Sequence, residues 1–289
     1  MLRALRAEQW VKNLLVFVPL ILAHRVSDRP ALGLAAWAFL CFCLCASAVY
    51  VVNDIADLEN DRRHPRKRHR PFAAGALQVR EGRLLAALLL MSALVISVWQ
   101  LPVAFTALLA GYFALTTAYS FLLKRVIILD VLVLATLYTF RLIGGGLATN
   151  VPLSPWLLAF STFVFLSLAL VKRYAGLHLA AEQGIVEPAG RGYRVDDLQF
   201  ILTIGPASGY IAVLVLVLYI NSAAVSVLYG RPGILWLLTP LLLYWISRIW
   251  LLAFRGELPD DPIVFTIRDP ASYLVLACSA VLLAVASAG

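Results

Sequence analysis

Charge is scarce in this chain. Asp, Glu, Lys and Arg make up only 14% of its 289 residues, against 62% hydrophobic, a balance that no soluble domain of this size shows. Zinc chemistry lacks its signature, because His24, His64, His69 and His178 form no H-E-x-x-H or comparable ligand spacing. No G-x-S-x-G, Walker A or dinucleotide fingerprint is present. Cys41, Cys43, Cys45 and Cys278 lie in apolar runs without a C-x-x-C pair and read as small hydrophobes. Neither an internal repeat nor a linker long enough to separate domains interrupts the chain, so residues 1–289 read as a single domain.

What the chain has instead is a succession of nearly uncharged runs of membrane-spanning length. We count nine, roughly 12–27, 31–52, 84–101, 102–122, 126–148, 155–176, 198–220, 233–253 and 271–288. The fold expected is all-α and integral to the membrane, with nine transmembrane helices. The first run resembles a signal peptide in having Arg3, Arg6 and Lys12 ahead of it, but Leu22-Ala23-His24-Arg25 offers no A-x-A-like cleavage site. It reads as a retained helix. With the N-terminus inside, 20 of the 24 Lys and Arg fall on inner segments and only Arg25, Arg29 and Arg231 on outer ones; Arg141 lies within a helix. That asymmetry places the N-terminus in the cytoplasm and the polar chemistry on the cytoplasmic face of the cell membrane. The net charge of +8 then suits anionic headgroups and phosphorylated substrates; nucleic acid has no soluble basic domain to bind.

The densest polar stretch runs from Asn53 to Gly75. Asp54, Asp57, Glu59 and Asp61 fall within eight residues, and Arg62, Arg63, Arg66, Lys67, Arg68 and Arg70 follow directly. The preceding run, Ala31 to Val52, is uncharged, so the carboxylates begin where a membrane helix ends. If the helix continues, Asp54, Asp57 and Asp61 stand at i, i+3 and i+7 on one face. Converging carboxylates repel one another unless a cation joins them, and hard oxygen ligands suit Mg²⁺. The alternative is a solvated loop whose acids pair with the neighbouring arginines.

Further along, Arg141 lies inside a helix that starts near Asp130, three turns earlier. An arginine there faces the bundle interior or a water-filled cavity, as a structural ion-pair partner or as a cation for substrate phosphate. Gly144-Gly145-Gly146 reads as a site of close helix packing. The loop from Lys172 to Asp197 offers Lys172, Arg173, Arg191, Tyr193 and Arg194, either as ordinary inner-face charge or as phosphate contacts. Trp236, Trp245 and Trp250 with Tyr244 read as interfacial and lipid-facing residues. Asp260-Asp261-Pro262 is a proline-bounded acidic turn.

N-D-x-x-D-x-x-x-D at Asn53 to Asp61 resembles the first aspartate motif of the UbiA superfamily of membrane prenyltransferases. The extension at Arg62 and from His64 to Gly75 resembles one branch, the decaprenyl-phosphate phosphoribosyltransferases. Q-W-x-K-N at Gln9 to Asn13, K-R-Y-A at Lys172 and D-D-P-I-V-F at Asp260 are similar to further motifs of that branch. This chain departs in having Arg6-Ala7 where the branch has Arg-Pro. It also lacks the second D-x-x-x-D motif of typical superfamily members, which stands in the loop corresponding to 172–197.

The resemblance implies a UbiA-like bundle and Mg²⁺ held by Asp54, Asp57 and Asp61, with Lys124 and Arg141 beside them in catalysis. It implies substrate contacts from Lys12, Asn53, Arg62, Lys67, Arg70, Tyr119, Asp130, Lys172, Arg173 and Tyr193. The reaction implied joins phosphoribosyl diphosphate to a polyprenyl phosphate, and the assembly admits a homo-oligomer. Two other readings stand beside it: a prenyl transfer from prenyl diphosphate to an aromatic acceptor, and a transporter for an anionic solute. The first wants the missing second motif, and the second leaves three clustered acids without a purpose.

Overall fold

The computed structural model describes residues 2–63, 67–187, 192–258, 262–266 and 268–288. Among these, all regular structure is helical. The α-helices are α1 (Val18–Leu22), α2 (Arg29–Ala56), α3 (Leu58–Arg63), α4 (Val79–Gln100), α5 (Val103–Phe121), α6 (Leu129–Thr149), α7 (Pro155–Glu182), α8 (Leu198–Ile220), α9 (Ala223–Leu228), α10 (Leu238–Phe254), α11 (Pro262–Thr266) and α12 (Pro270–Ser287). Eight helical stretches among the described residues are long and apolar enough to cross a membrane, and each overlaps one of the last eight expected runs, with ends that differ by up to six residues.

The first expected span takes another form. Ala7–Phe17 is a 3₁₀ helix that passes directly into α1. The tighter winding rises about 2.0 Å per residue against 1.5 Å in an α-helix, so Ala7 to Leu22 extends roughly 30 Å, about the thickness of the hydrocarbon core.

Helix starts are written locally. Asp28, Ser154 and Asp269 are the N-caps of α2, α7 and α12; their side chains accept the N–H of Ala31, Leu157 and Ser272, and a proline follows within the first two helical positions. The four orphan N–H groups of a helix entering lipid need such partners.

The chain forms two compact units, Met1–Leu122 with Phe140–Leu153, and Leu123–Thr139 with Ser154–Gly289, and α6 contributes to both. In the first unit the glycine triplet on α6 does what small residues do between membrane helices. A Cβ on Gly145 would lie 2.0 Å from the Val16 carbonyl oxygen, one on Gly144 2.6 Å from the Phe42 ring, and one on Gly146 2.9 Å from Leu153. In the second unit Gly205 and Gly209 of α8 play the same part. A Cβ on Gly205 would lie 2.0 Å from the Trp250 ring, and the Trp250 indole donates to Ser167 at 3.0 Å. Trp250 is thus buried rather than lipid-facing, a correction to the sequence expectation, because Gly205 on the facing helix leaves room for its ring, while Gly209 lies against Ile246. Trp245 donates to Ser272 at 3.0 Å, while Trp236 and Tyr244 remain exposed. Cys41, Cys43 and Cys45 are buried thiols, as expected.

Candidate functional site

In the first unit the polar cluster forms where α2 gives out. The helix stops at Ala56 and Asp57 is its C-cap, yet the Asp57 N–H still reaches the Asn53 carbonyl at 2.9 Å and the Asp61 N–H the Asp57 carbonyl at 2.8 Å. The i→i−4 pattern thus crosses the break into α3, and Asp54 and Asp61 end up buried together. Arg70, on the loop that returns beneath them, donates through one nitrogen to Asp61 Oδ2 at 2.7 Å and to Asp54 Oδ1 at 3.2 Å. Arg6 donates to the same Asp54 oxygen at 2.6 Å and lies over the Tyr50 ring at 5.1 Å. Two buried carboxylates are therefore matched by two guanidiniums, which offsets the cost of taking like charges out of water. Arg6 adopts φ +49°, a left-handed conformation unusual for a side chain of this size, and it brings the chain's N-terminal segment onto Asp54.

The donor chemistry fits a hard cation in one respect: Asp54 and Asp61 already converge on a single cationic nitrogen. Asp57, the third expected ligand, is half-buried at the helix break. No group of three His, Cys, Asp or Glu with metal-holding geometry occurs among the described residues.

A second cluster of this unit surrounds Arg141. Its Nε donates to Asn13 Oδ1 at 2.7 Å, and one of its terminal nitrogens donates to the Tyr112 hydroxyl at 2.8 Å. Asn13 in turn donates to the Cys43 sulfur at 3.2 Å. Both Arg141 and Lys12 are buried. An arginine inside a membrane helix is costly to bury, and these hydrogen bonds fix its orientation.

The second unit carries its own buried group. Asp130, wholly inaccessible at the start of α6, accepts from Arg173 on α7 and from the Tyr193 hydroxyl at 2.7 Å. The Tyr193 oxygen accepts the Ile128 N–H at 2.8 Å. Ile128 has φ +66°, strained for a β-branched residue, and a Cβ on Gly192 would lie 2.5 Å from the Arg125 carbonyl oxygen. The segment at 192–193 is thus seated tightly on the turn before α6. Burial first, then the hydrogen bond to Asp130 and that residue's charge, push the Tyr193 phenol well above its ordinary pKa, so it stays protonated and donates. Arg173 Nε is buried and has no hydrogen-bond partner among the described residues.

Of the other expected residues, Asn53, Tyr119, Lys124 and Lys172 are half-buried. Arg62 is exposed and pairs with Glu59 at 3.2 Å, a surface pair worth little. His64, Pro65, Arg66, Arg191 and Asp260-Asp261 lie outside the described residues, as does the side chain of Lys67. Three partners escaped the sequence reading as site residues: Arg6, Asn13 and Tyr112. Arg6 and Asn13 flank or lie in the Gln9 to Asn13 motif, which is the signal that could have found them; Tyr112 carries none.

The profile of the UbiA prenyltransferase family matches residues 14–268. The chain is 40% identical over 275 residues to the uncharacterised protein y4nM of Sinorhizobium fredii, covering 95% of this chain and 53% of that one, so it spans about half that relative's length. It is 34% identical over 274 residues to the nodulation protein NoeC of Azorhizobium caulinodans, covering 94% of this chain and 88% of the relative. It is 39% identical over 209 residues to the decaprenyl-phosphate phosphoribosyltransferase of Mycolicibacterium smegmatis, covering 71% and 65%. A UbiA homologue from Archaeoglobus fulgidus, solved bound to GPP and Mg²⁺, superposes with a TM-score of 0.70 at 15% identity over 98% of this chain and 99% of that one. Motif, buried charge, profile and fold agree: the chain belongs to the UbiA prenyltransferase family of membrane transferases.

Proposed function

We propose that this chain transfers the 5-phosphoribosyl group of phosphoribosyl diphosphate to a polyprenyl phosphate of decaprenyl type, releasing diphosphate at the cytoplasmic face of the cell membrane. The observation that carries the reading is the pair of buried carboxylates, Asp54 and Asp61, gathered on Arg70 at the end of α2. It is supported by the relative of that activity at 39% identity and by the missing second D-x-x-x-D motif between 172 and 197.

In this reaction the bond from ribose C1 to the diphosphate oxygen breaks, the diphosphate leaves with the electron pair, and a lipid-phosphate oxygen forms the new bond to C1. Positive charge develops at the sugar and negative charge on the leaving group. The nucleophile is already anionic, so no strong general base is required. Arg70 and Arg6 offer guanidinium forks to the diphosphate, and Lys12 and Arg141 further buried cations of the same unit. Lys124, Lys172 and Arg173 are assigned to phosphate contacts by the resemblance; Asp130 and Tyr193 hold Arg173 in place rather than touching substrate. When bound, Mg²⁺ would supply Lewis-acid stabilisation of the leaving diphosphate, with Asp54, Asp61 and, by the resemblance, Asp57 as the residues to hold it. Positioning and electrostatics provide most of the rate.

The second reading, prenyl transfer from a prenyl diphosphate to an aromatic acceptor, is favoured by the matching profile, which is that of a prenyltransferase family. Protein purified in detergent, given Mg²⁺ and a polyprenyl phosphate, is incubated in parallel with labelled phosphoribosyl diphosphate and with labelled prenyl diphosphate plus an aromatic acceptor. Ribosyl label entering the lipid phase, and lost in Asp54→Asn and Asp57→Asn, is the outcome expected. Prenyl label on the acceptor with no ribosyl transfer would replace this proposal by the second reading.

A further inference from the structure

On the first unit, α2, α4 and α5 leave a groove of about 350 Å³ between them, within the usual range for a small-ligand site. Alanines open it: Ala48 and Ala56 on α2, Ala86 and Ala87 on α4. Phe113 and Phe121 of α5 close the far wall, and Arg83 is the one charged residue among the lining residues.

The groove is separate from the carboxylate cluster. Its α2 positions, Ala48, Val52, Ile55 and Ala56, follow the spacing of one helix face, and Asp54 lies roughly 100° round the helix from Ile55. The groove lies toward the polar end of the three helices: late in α2 and α5, early in α4. Along the outer face of α4, Leu84, Leu88 and Met91 are 62%, 57% and 57% exposed, as side chains bathed in lipid are. At the same end Arg80 and Arg83 are exposed, and neither has a hydrogen bond or ion pair among the described residues. Glu81, between them in sequence, engages the Gln78 N–H at 2.9 Å instead.

An apolar slot open to the bilayer, with two uncompensated guanidiniums at its polar end, is complementary to a single kind of occupant: an amphiphile with a hydrocarbon chain and an anionic head. A free phosphate would leave the slot empty, and a neutral lipid would leave the arginines unmatched. Arginine, moreover, binds phosphate through two parallel hydrogen bonds. We propose that the groove is a binding site for an anionic bilayer phospholipid, with an acyl chain between α2, α4 and α5 and the phosphate on Arg83 beside Arg80. This site is independent of the transferase reaction.

The test uses the full chain in an uncharged detergent, titrated with phosphatidylglycerol or with phosphatidylcholine carrying the same acyl chains. Bound lipid is counted by native mass spectrometry. One arginine near the headgroup contributes about 1 kcal/mol, or roughly fivefold in affinity, so phosphatidylglycerol is expected to be retained at least fivefold better. Arg83→Gln should lower that preference about fivefold while phosphatidylcholine retention stays as in the wild type. Ala87→Phe, which puts a ring into the slot from an exposed position, should abolish retention of both lipids. Arg255→Gln, an exposed arginine elsewhere, should change nothing. Equal retention of the two lipids by the wild type, an unchanged preference in Arg83→Gln, or unchanged retention in Ala87→Phe each overturns the proposal. So does a stable oligomer that excludes lipid from the groove, which would make a second copy of the chain the occupant.

Discussion

Replacing Asp130 by Asn tests the buried cluster of the second unit most directly. Asp130 is wholly inaccessible and Arg173, its guanidinium partner, is 4% exposed. Asn keeps the shape and an acceptor oxygen but removes the charge, so the guanidinium stays buried without its counter-ion. Removing one member of a buried pair costs about 3–5 kcal/mol; the retained acceptor puts Asp130→Asn toward the lower end. Tyr193→Phe removes only a hydroxyl, which costs about 1–3 kcal/mol through the unmatched Ile128 N–H and Asp130 oxygen. Because both changes act on the same carboxylate, the double variant should fall short of the sum of the singles by an amount on the order of 1 kcal/mol. Thermal unfolding in detergent, read by tryptophan fluorescence, measures all three. At about 2–4 °C per kcal/mol for a chain of this size class, Asp130→Asn should melt roughly 6–12 °C below the wild type. A melting temperature within a degree of wild type, or strict additivity in the double variant, would refute the buried ion pair as the element that fixes Arg173.

Other outcomes follow from the same geometry. Gly145→Ala must displace the Val16 carbonyl, and with it Asn13 one 3₁₀ turn earlier, so it should cost about 1–3 kcal/mol and lower transfer activity; Gly176→Ala, with nothing within 4 Å of its Cβ, should be neutral or slightly stabilising in the same melts. Arg70→Gln should destabilise by about 1–3 kcal/mol and abolish phosphoribosyl transfer in the labelled-donor assay, with Arg70→Lys restoring stability better than activity, since the forked geometry is lost. Asp269 has a lowered pKa: burial pushes it up, but the two-pronged contact with Arg248 at 2.7 and 2.9 Å and the Ser272 bonds outweigh that. Its contribution is therefore present above the ordinary carboxylate pKa of about 4 and lost as pH falls below it. The stability gap between wild type and Asp269→Asn should be constant from pH 7 to 5 and begin to close as the pH falls below about 4, as acid melts would record.

The extent to which the chain can be read without its structure follows from how far apart the interacting residues stand. Eight spans were legible because each is a local property: an apolar run ended by charge, proline or glycine. The aspartates at the end of α2 were legible for the same reason. The first segment, read as a retained helix, is helical but winds largely as 3₁₀, a difference in rise that composition does not record. Asp54 finds Arg6 across 48 positions and Arg141 finds Asn13 across 128, and no periodicity records such pairings. Trp250 shows where a signal was present and passed over. Gly205-Pro-Ala-Ser-Gly209 is a small-xxx-small run in an apolar helix, the pattern by which membrane helices pack closely, and the space beside Gly205 is taken by this indole. The same reasoning bears on Arg173. Its partner Asp130 reads in sequence as a candidate substrate contact at a helix start; only the fold brings Arg173, Tyr193 and the strained turn at Ile128 together around it. A variant series that changed KM for the donor in Arg173→Gln but only stability in Tyr193→Phe would separate the two roles, and equal effects on both would return Tyr193 to the substrate.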